Sequence, residues 1–264
     1  MIDWDDAFQN AAYIAGAEGY PAQWAAQAQA FRDRARGELD LSYGAHPRAA
    51  LDLFRPERAP RGLVVFVHGG YWLKFDKSFW SHLATGPLAQ GWAVALPSYT
   101  LAPEVTIDQI TAQISKAITH AARLVAGPIR LAGHSAGGHL VTRMICADSP
   151  LAPASRERIA GVVSISGLHD LRPLMATQMN SQLRLTPAIA ALESAVKHRP
   201  LPGIPVTAWV GGLERPEFLR QSALLREAWA GTELEVAPAR HHFDVIADMC
   251  DAQSALTRRI APAQ

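Results

Sequence analysis

Ile129-Arg130-Leu131-Ala132-Gly133-His134-Ser135-Ala136-Gly137 is the stretch on which the fold turns. Its first four residues read as a strand, and the pattern that follows, as far as Cys146, reads as a helix. So tight a strand-to-helix turn forces the middle residue into a strained backbone conformation. The residues two positions away must be small or they collide, which fits Gly133 and Gly137. The Ser135 hydroxyl is then expected at the carboxyl end of a sheet, above a helix N-terminus that favours developing negative charge. The plainer alternative is a serine capping a helix after a glycine turn.

Outward from this turn, apolar runs recur at 62–67, 93–96, 161–165 and 206–210, with a weaker one at 233–236. Unbroken apolar runs suit strands buried on both faces, as in parallel sheets. Helical periodicity separates them. Ile107, Ile110, Ile114, Ala117, Ile118, Ala121 and Leu124 form one stripe over 107–125, and 139–146, 218–229 and 243–260 also read as helices. The alternation predicts an α/β fold, a mostly parallel central sheet with helices on both faces. Upstream, strands at 38–43 and 49–54 flank the turn Gly44-Ala45-His46-Pro47 and read as a hairpin. Residues 1–37 read as an Ala-rich helical segment carrying Trp24, Ala28 and Phe31. Residues 171–203 exceed a normal connection and end in Pro200, Pro202 and Pro205. They are expected to be a helical lid or cap insertion on a single domain spanning 1–264.

Composition narrows the class. The chain has 264 residues, 49% hydrophobic and 19% charged, with a net charge of +1 from 25 basic and 24 acidic residues. That balance favours a packed core and gives no electrostatic case for nucleic acid or an anionic membrane as partner. The acidic start lacks the features of a secretory signal, and no stretch reaches the roughly 18–20 apolar residues of a membrane span. A cytoplasmic protein is expected. Cys146 and Cys250 read as free thiols in apolar helical patterns rather than as a disulfide. A homodimer is compatible with the sequence.

A serine hydroxyl needs a base, and the base needs an orienting acid. On a strand-to-helix elbow of this kind the acid and then the histidine follow the serine along the chain. His242 is expected as the base, at the tip of the loop after 233–236, with His241 its solvated neighbour and the alternative. Glu214, after the 206–210 strand, is the expected acid. Glu217 is the runner-up, and Asp170 a third candidate whose other role is a cap. The oxyanion of the attacked carbonyl needs fixed donors. The amides of Gly70, Tyr71 and Ala136 are expected to supply them, the first two from His68-Gly69-Gly70-Tyr71-Trp72. Tyr71 and Trp72 are also expected to pack substrate. Ten histidines invite a metal reading, but no ligand-spaced cluster accompanies His134 and His139, and His68 and His134 read as loop-holding groups. No nucleotide motif is present, so no cofactor and no metal are expected.

These motifs together resemble one family. His68-Gly69-Gly70-Tyr71-Trp72 is similar to the HGGxW motif of the α/β-hydrolase kynurenine formamidases (arylformamidases), related to esterases of the hormone-sensitive-lipase type. The resemblance continues through Tyr43-Gly44, 51–54, 133–140, 165–174, 216–222 and His242-Phe243-Asp244, covering roughly residues 39–250. It implies an α/β-hydrolase fold, Ser135 as nucleophile, His242 as base, and hydrolysis of N-formylkynurenine to kynurenine and formate. Glu214 falls where the family often has Asp, so the longer arm alters the expected geometry. The first 37 residues and the insertion show no match. Three functions follow from the sequence: an arylformamidase, a short-acyl carboxylesterase on the same residues, or a silent scaffold binding a small ligand. In the two enzymatic readings a small ester or amide is the substrate.

Overall fold

Apolar, largely β-branched and aliphatic runs become the sheet. The computed structural model describes residues 2–263; Met1 and Gln264, the outer ends of the expected segments, lie outside them. The strands are β1 Gly37–Ser42, β2 Ala50–Phe54, β3 Leu63–Val67, β4 Ala93–Pro97, β5 Ile129–His134, β6 Ile159–Ile165, β7 Val206–Gly211 and β8 Glu233–Ala237. They lie in the order β1-β2-β4-β3-β5-β6-β7-β8. β2 is antiparallel to β1 and β4, and the remaining pairs are parallel. The expected hairpin and mostly parallel α/β sheet are therefore present.

Strand alternation divides the core in two. Leu63, Val65, Val67, Leu131, Val162 and Val210 face one side, beneath the helices Ile107–Leu124, Ala136–Arg143 and Pro216–Ala228. Val64, Phe66, Val94, Val163 and Trp209 face the other, beneath the helices Tyr20–Arg32 and Ala255–Ile260. Trp24, Ala28 and Phe31 are buried as their spacing predicts. The residues after β6 form short helical pieces, including Asn180–Leu183 and Pro187–Glu193. Leu171, Leu174, Leu183, Leu185, Ala190 and Ala195 from this segment join the first core. Glu193 anchors it further: Thr111 Oγ1 donates to Glu193 Oε2 at 2.6 Å, and His139 Nε2 to its carbonyl oxygen at 2.8 Å.

Two helical expectations are corrected. The region 243–260 is not one helix. A turn leads to a short 3-10 segment, Ala247–Cys250, and only Ala255–Ile260 is α-helical. Ser254 breaks the run: its Oγ accepts from Thr257 N at 2.9 Å as a new N-cap and donates to Asp248 O at 2.7 Å. The elbow helix stops at Arg143, so Cys146 lies beyond it, bridged to Pro200. Both cysteines are free thiols; Cys146 is buried, while Cys250 is half-buried. Among the described residues no helix is long and apolar enough to cross a membrane.

Burial keeps several histidines neutral. It lowers His169 to about 3, and His68 and His82 to about 4. An unfolded histidine binds its proton near pH 6.5. Below that pH the unfolded chain takes up protons that these buried rings refuse, so stability is lost as pH falls from about 6.5 toward 4. Each such ring costs about 2 kcal/mol by pH 5. Replacing His169 with Gln is expected to flatten the decline of Tm between pH 7 and 5. An unchanged slope in thermal unfolding contradicts this.

Candidate active site

Parallel register brings five chain segments to one end of the sheet. Val67 at the end of β3 is level with Gly133, and His134 is level with Ile165. Gly211 of β7 is level with Ala237 of β8. The loops leaving these strand ends therefore converge around Ser135.

Ser135 adopts φ +56°, ψ −118°, the strained elbow that its sequence predicts. Its amide is fixed to Ile165 O at 2.8 Å, and its side chain does not cap the helix it opens, against the plainer alternative. The glycines have no room for a side chain. A Cβ on Gly133 would lie 2.2 Å from Gly137 O, and one on Gly137 only 1.9 Å from Val67 O.

Glu214 and His242 meet. His242 Nδ1–H donates to Glu214 Oε2 at 2.6 Å, leaving Nε2 as the nitrogen free to take a proton. The other carboxylate oxygen, Oε1, accepts from Ser166 Oγ at 2.5 Å and Gly211 N at 2.8 Å. Both oxygens of a buried carboxylate are thus satisfied. The longer arm of Glu fits because the turn 211–214 is sewn to the loop carrying His242 by Gly212 N to Ala237 O and Leu213 N to Arg240 O. The two competing acids are occupied elsewhere. Glu217 pairs with Arg220 and Gln221, and Asp170 with Arg172, which it also caps at the backbone N.

The loop carrying His242 is fastened to the elbow. His134 Nε2–H donates to His242 O at 2.9 Å, and the two rings lie 4.7 Å apart. Burial, then repulsion from His242, holds His134 well below the ordinary histidine range, so it stays a neutral donor. Phe218 packs on the His242 ring at 4.4 Å. Among the described residues Ser135 Oγ and His242 make no hydrogen bond to each other in this resting arrangement. Such bonds are commonly loose before substrate binds.

The loop after β3 contains a run of left-handed residues: Gly70 at φ +107°, Tyr71 at +53° and Trp72 at +59°. Leu73 N and Lys74 N both close onto Gly70 O at 3.0 Å. The amides of Gly70, Tyr71 and Ala136 are spent on no protein acceptor among the described residues. Trp72 departs from expectation. Its turn carries the ring into the core, fully buried and edge-on to His139 at 5.2 Å, so it offers no surface to substrate. His241 departs too. It is half-buried and tethered rather than free in solvent: Nε2 meets Tyr20 Oη at 3.1 Å, and Nδ1 accepts from Phe243 N at 3.2 Å.

His134 holds a loop as expected, the one that carries His242, whereas the contacts of Ser166 with Glu214 and of Phe218 with His242 go beyond the expectation. The signal for Ser166 was available, since it leaves the strand beside the elbow.

With strand order, elbow and converging loops in hand, the class is defined: the chain belongs to the alpha/beta hydrolase family, whose model matches residues 64–263, and it is an enzyme of the hydrolase type. Among particular relatives, a kynurenine formamidase of Danio rerio is 27% identical over 233 residues, 83% of this chain and 79% of that one. The kynurenine formamidase of Salmo salar is 28% identical over 244 residues, 86% and 83% of the two. A solved structure from Silicibacter sp. TM1040, provisionally named a thioesterase, superposes with TM-score 0.95 at 52% identity, covering 98% of this chain and 99% of that one.

Alanine at Gly137 is expected to displace the elbow helix from β3. The cost should exceed the about 1–3 kcal/mol of ordinary overpacking, since the clash is with backbone. A variant within a degree or two of wild-type Tm by calorimetry would refute that clearance.

Proposed function

We propose that the chain is a serine hydrolase acting on an aryl formamide such as N-formylkynurenine through Ser135, His242 and Glu214. The observation that carries the reading is the buried 2.6 Å pair of Glu214 and His242 beside the strained Ser135 elbow. The formamide substrate rests on the formamidase relatives, which match most of this chain and most of their own length.

The chemistry has two steps. His242 Nε2 takes the Ser135 proton as Oγ attacks the formyl carbonyl. The amides of Gly70, Tyr71 and Ala136 receive the oxyanion. As the tetrahedral centre collapses, His242 gives its proton to the departing amine, leaving a formyl ester on Ser135. Water, deprotonated by His242, then releases formate. Glu214 holds Nδ1 protonated and stabilises the imidazolium without itself accepting the proton. Ser135 and His242 are both buried, which favours a small acyl group such as formyl over a bulky one.

A second reading is a short-acyl carboxylesterase on the same residues. The burial of Trp72 favours it, because the expected aryl-stacking surface is reduced to Tyr71.

Replacing Ser135 with Ala is expected to abolish labelling by a fluorophosphonate and to lower kcat by at least about 10⁴-fold. Folded wild-type protein that takes no label would point instead to a silent scaffold. Comparing kcat/KM for N-formylkynurenine with p-nitrophenyl acetate, p-nitrophenyl butyrate and an acetyl thioester separates the substrates; a formamide value well below the esters removes the first reading. Only neutral imidazole accepts the serine proton, so kcat/KM should fall on acidification, and a rate flat between about pH 8 and 5 would contradict the mechanism.

A further inference from the structure

Residues 2–13 contribute no strand, yet they touch the loops that carry the site. Asp6 lies at their centre. Its carboxylate pairs with the Arg215 guanidinium and accepts from Tyr13 Oη at 2.5 Å. The Tyr13 ring lies under that guanidinium, 3.6 Å from its carbon. Arg215 is the residue after Glu214, so this cluster grips the acid turn from outside.

Two residues along, the same segment grips the loop after β3. Tyr71 Oη donates to Phe8 O at 2.5 Å and accepts from Asn10 Nδ2 at 3.3 Å. Burial, together with Glu214 and Glu217 nearby, raises the Tyr71 phenol, so it remains a donor at any working pH. The Phe8 ring meets Phe218 edge-on at 6.2 Å, and Phe218 in turn packs on His242. Asp5 Oδ1 accepts from Gln178 N at 2.7 Å, tying the segment to the residues between β6 and β7. Asn10 is buried, and its Oδ1 has no partner. Tyr71 Oη has already given its proton to Phe8 O, so Asn10 can only donate there and its carbonyl is left as an unused acceptor.

We propose that residues 5–13 are a strap that fastens the oxyanion loop to the acid turn and limits the size of acyl group the cleft admits, with Arg215 and the Tyr71 hydroxyl as positioning residues. This rests on the hydrolase reading of Ser135, Glu214 and His242. The physical argument is one of restraint. Tyr71 is held in a left-handed conformation that costs about 1–3 kcal/mol, so its amide keeps its aim only while something fixes the side chain. The hydroxyl bond to Phe8 O supplies that fixing. The Asp6–Arg215 pair holds the other end of the same short segment, so loosening either end frees both loops.

The test is a charge exchange in the full chain. Asp6→Arg and Arg215→Asp are each expected to lower kcat for p-nitrophenyl acetate about tenfold, and to raise the butyrate-to-acetate ratio of kcat/KM about fivefold. The double variant, which restores an opposite-charge pair, should return both values to within about threefold of wild type. Tyr71→Phe keeps the ring and loses the donor; it should lower kcat about tenfold with KM little changed. Should a reversal fail to fold, Asp6→Asn and Tyr71→Phe carry the same readouts.

Single variants that lose Tm yet keep the wild-type kcat and acyl-length ratio would overturn the strap. So would a double variant no better than the singles. Fluorophosphonate labelling of the wild type separates the two levels: a labelled wild type with unresponsive strap variants sinks the strap alone, whereas an unlabelled wild type sinks the hydrolase reading and the strap with it.

Discussion

The closeness of two backbones governs this molecule. Gly137 passes so near Val67 O that not even a methyl group fits between them, and Gly133 is equally tight against Gly137. That approach seats the elbow helix on the end of β3 and forces Ser135 to φ +56°. It also sets the loop after β3, which begins at His68 and carries Gly70 and Tyr71, beside the elbow. The position of Ser135 and of the amides around it is therefore a consequence of one packing constraint between β3, β5 and the helix that follows.

Beside that constraint, the polar groups of Glu214, His242 and His134 hold one another. Glu214 is buried with both oxygens bonded, and the hydroxyl and amide that hold Oε1 leave Oε2 aimed at His242. A buried carboxylate left half satisfied would be costly, so Ser166 and Gly211 are part of what lets Glu214 hold His242 by a hydrogen bond. His134 contributes from the elbow itself by donating to the backbone of His242, and it can do so because burial keeps it uncharged. Serine and base loop are thereby joined through adjacent residues even where their side chains do not yet touch.

Much of this was legible in the sequence. Apolar runs gave the parallel strands because strands buried on both faces need no polar alternation, and the glycine spacing gave the elbow because it is a steric demand. Glu214 and His242 could be found from chain order and loop position. What escaped was whatever depends on contacts between distant segments. Periodicity cannot tell a helix from two turns joined at a Ser cap, so 243–260 reads as continuous. Trp72 reads as available because it adjoins the glycine loop, but three successive left-handed residues rotate it into the core. His241 looked solvated because nothing local announces Tyr20, which lies 221 residues away in the chain. The partners of the N-terminal segment were hidden for the same reason.

The sheet ends on β8, whose outer positions include Glu233 and Glu235, both reached by Arg259. An edge strand offers unpaired amides and carbonyls to any neighbour with the same need. Here a visitor would have to set its own backbone against acidic side chains and disturb their arginine partner. The border is thus chemically guarded, and lateral stacking of one copy's β-sheet onto another's is disfavoured along this side.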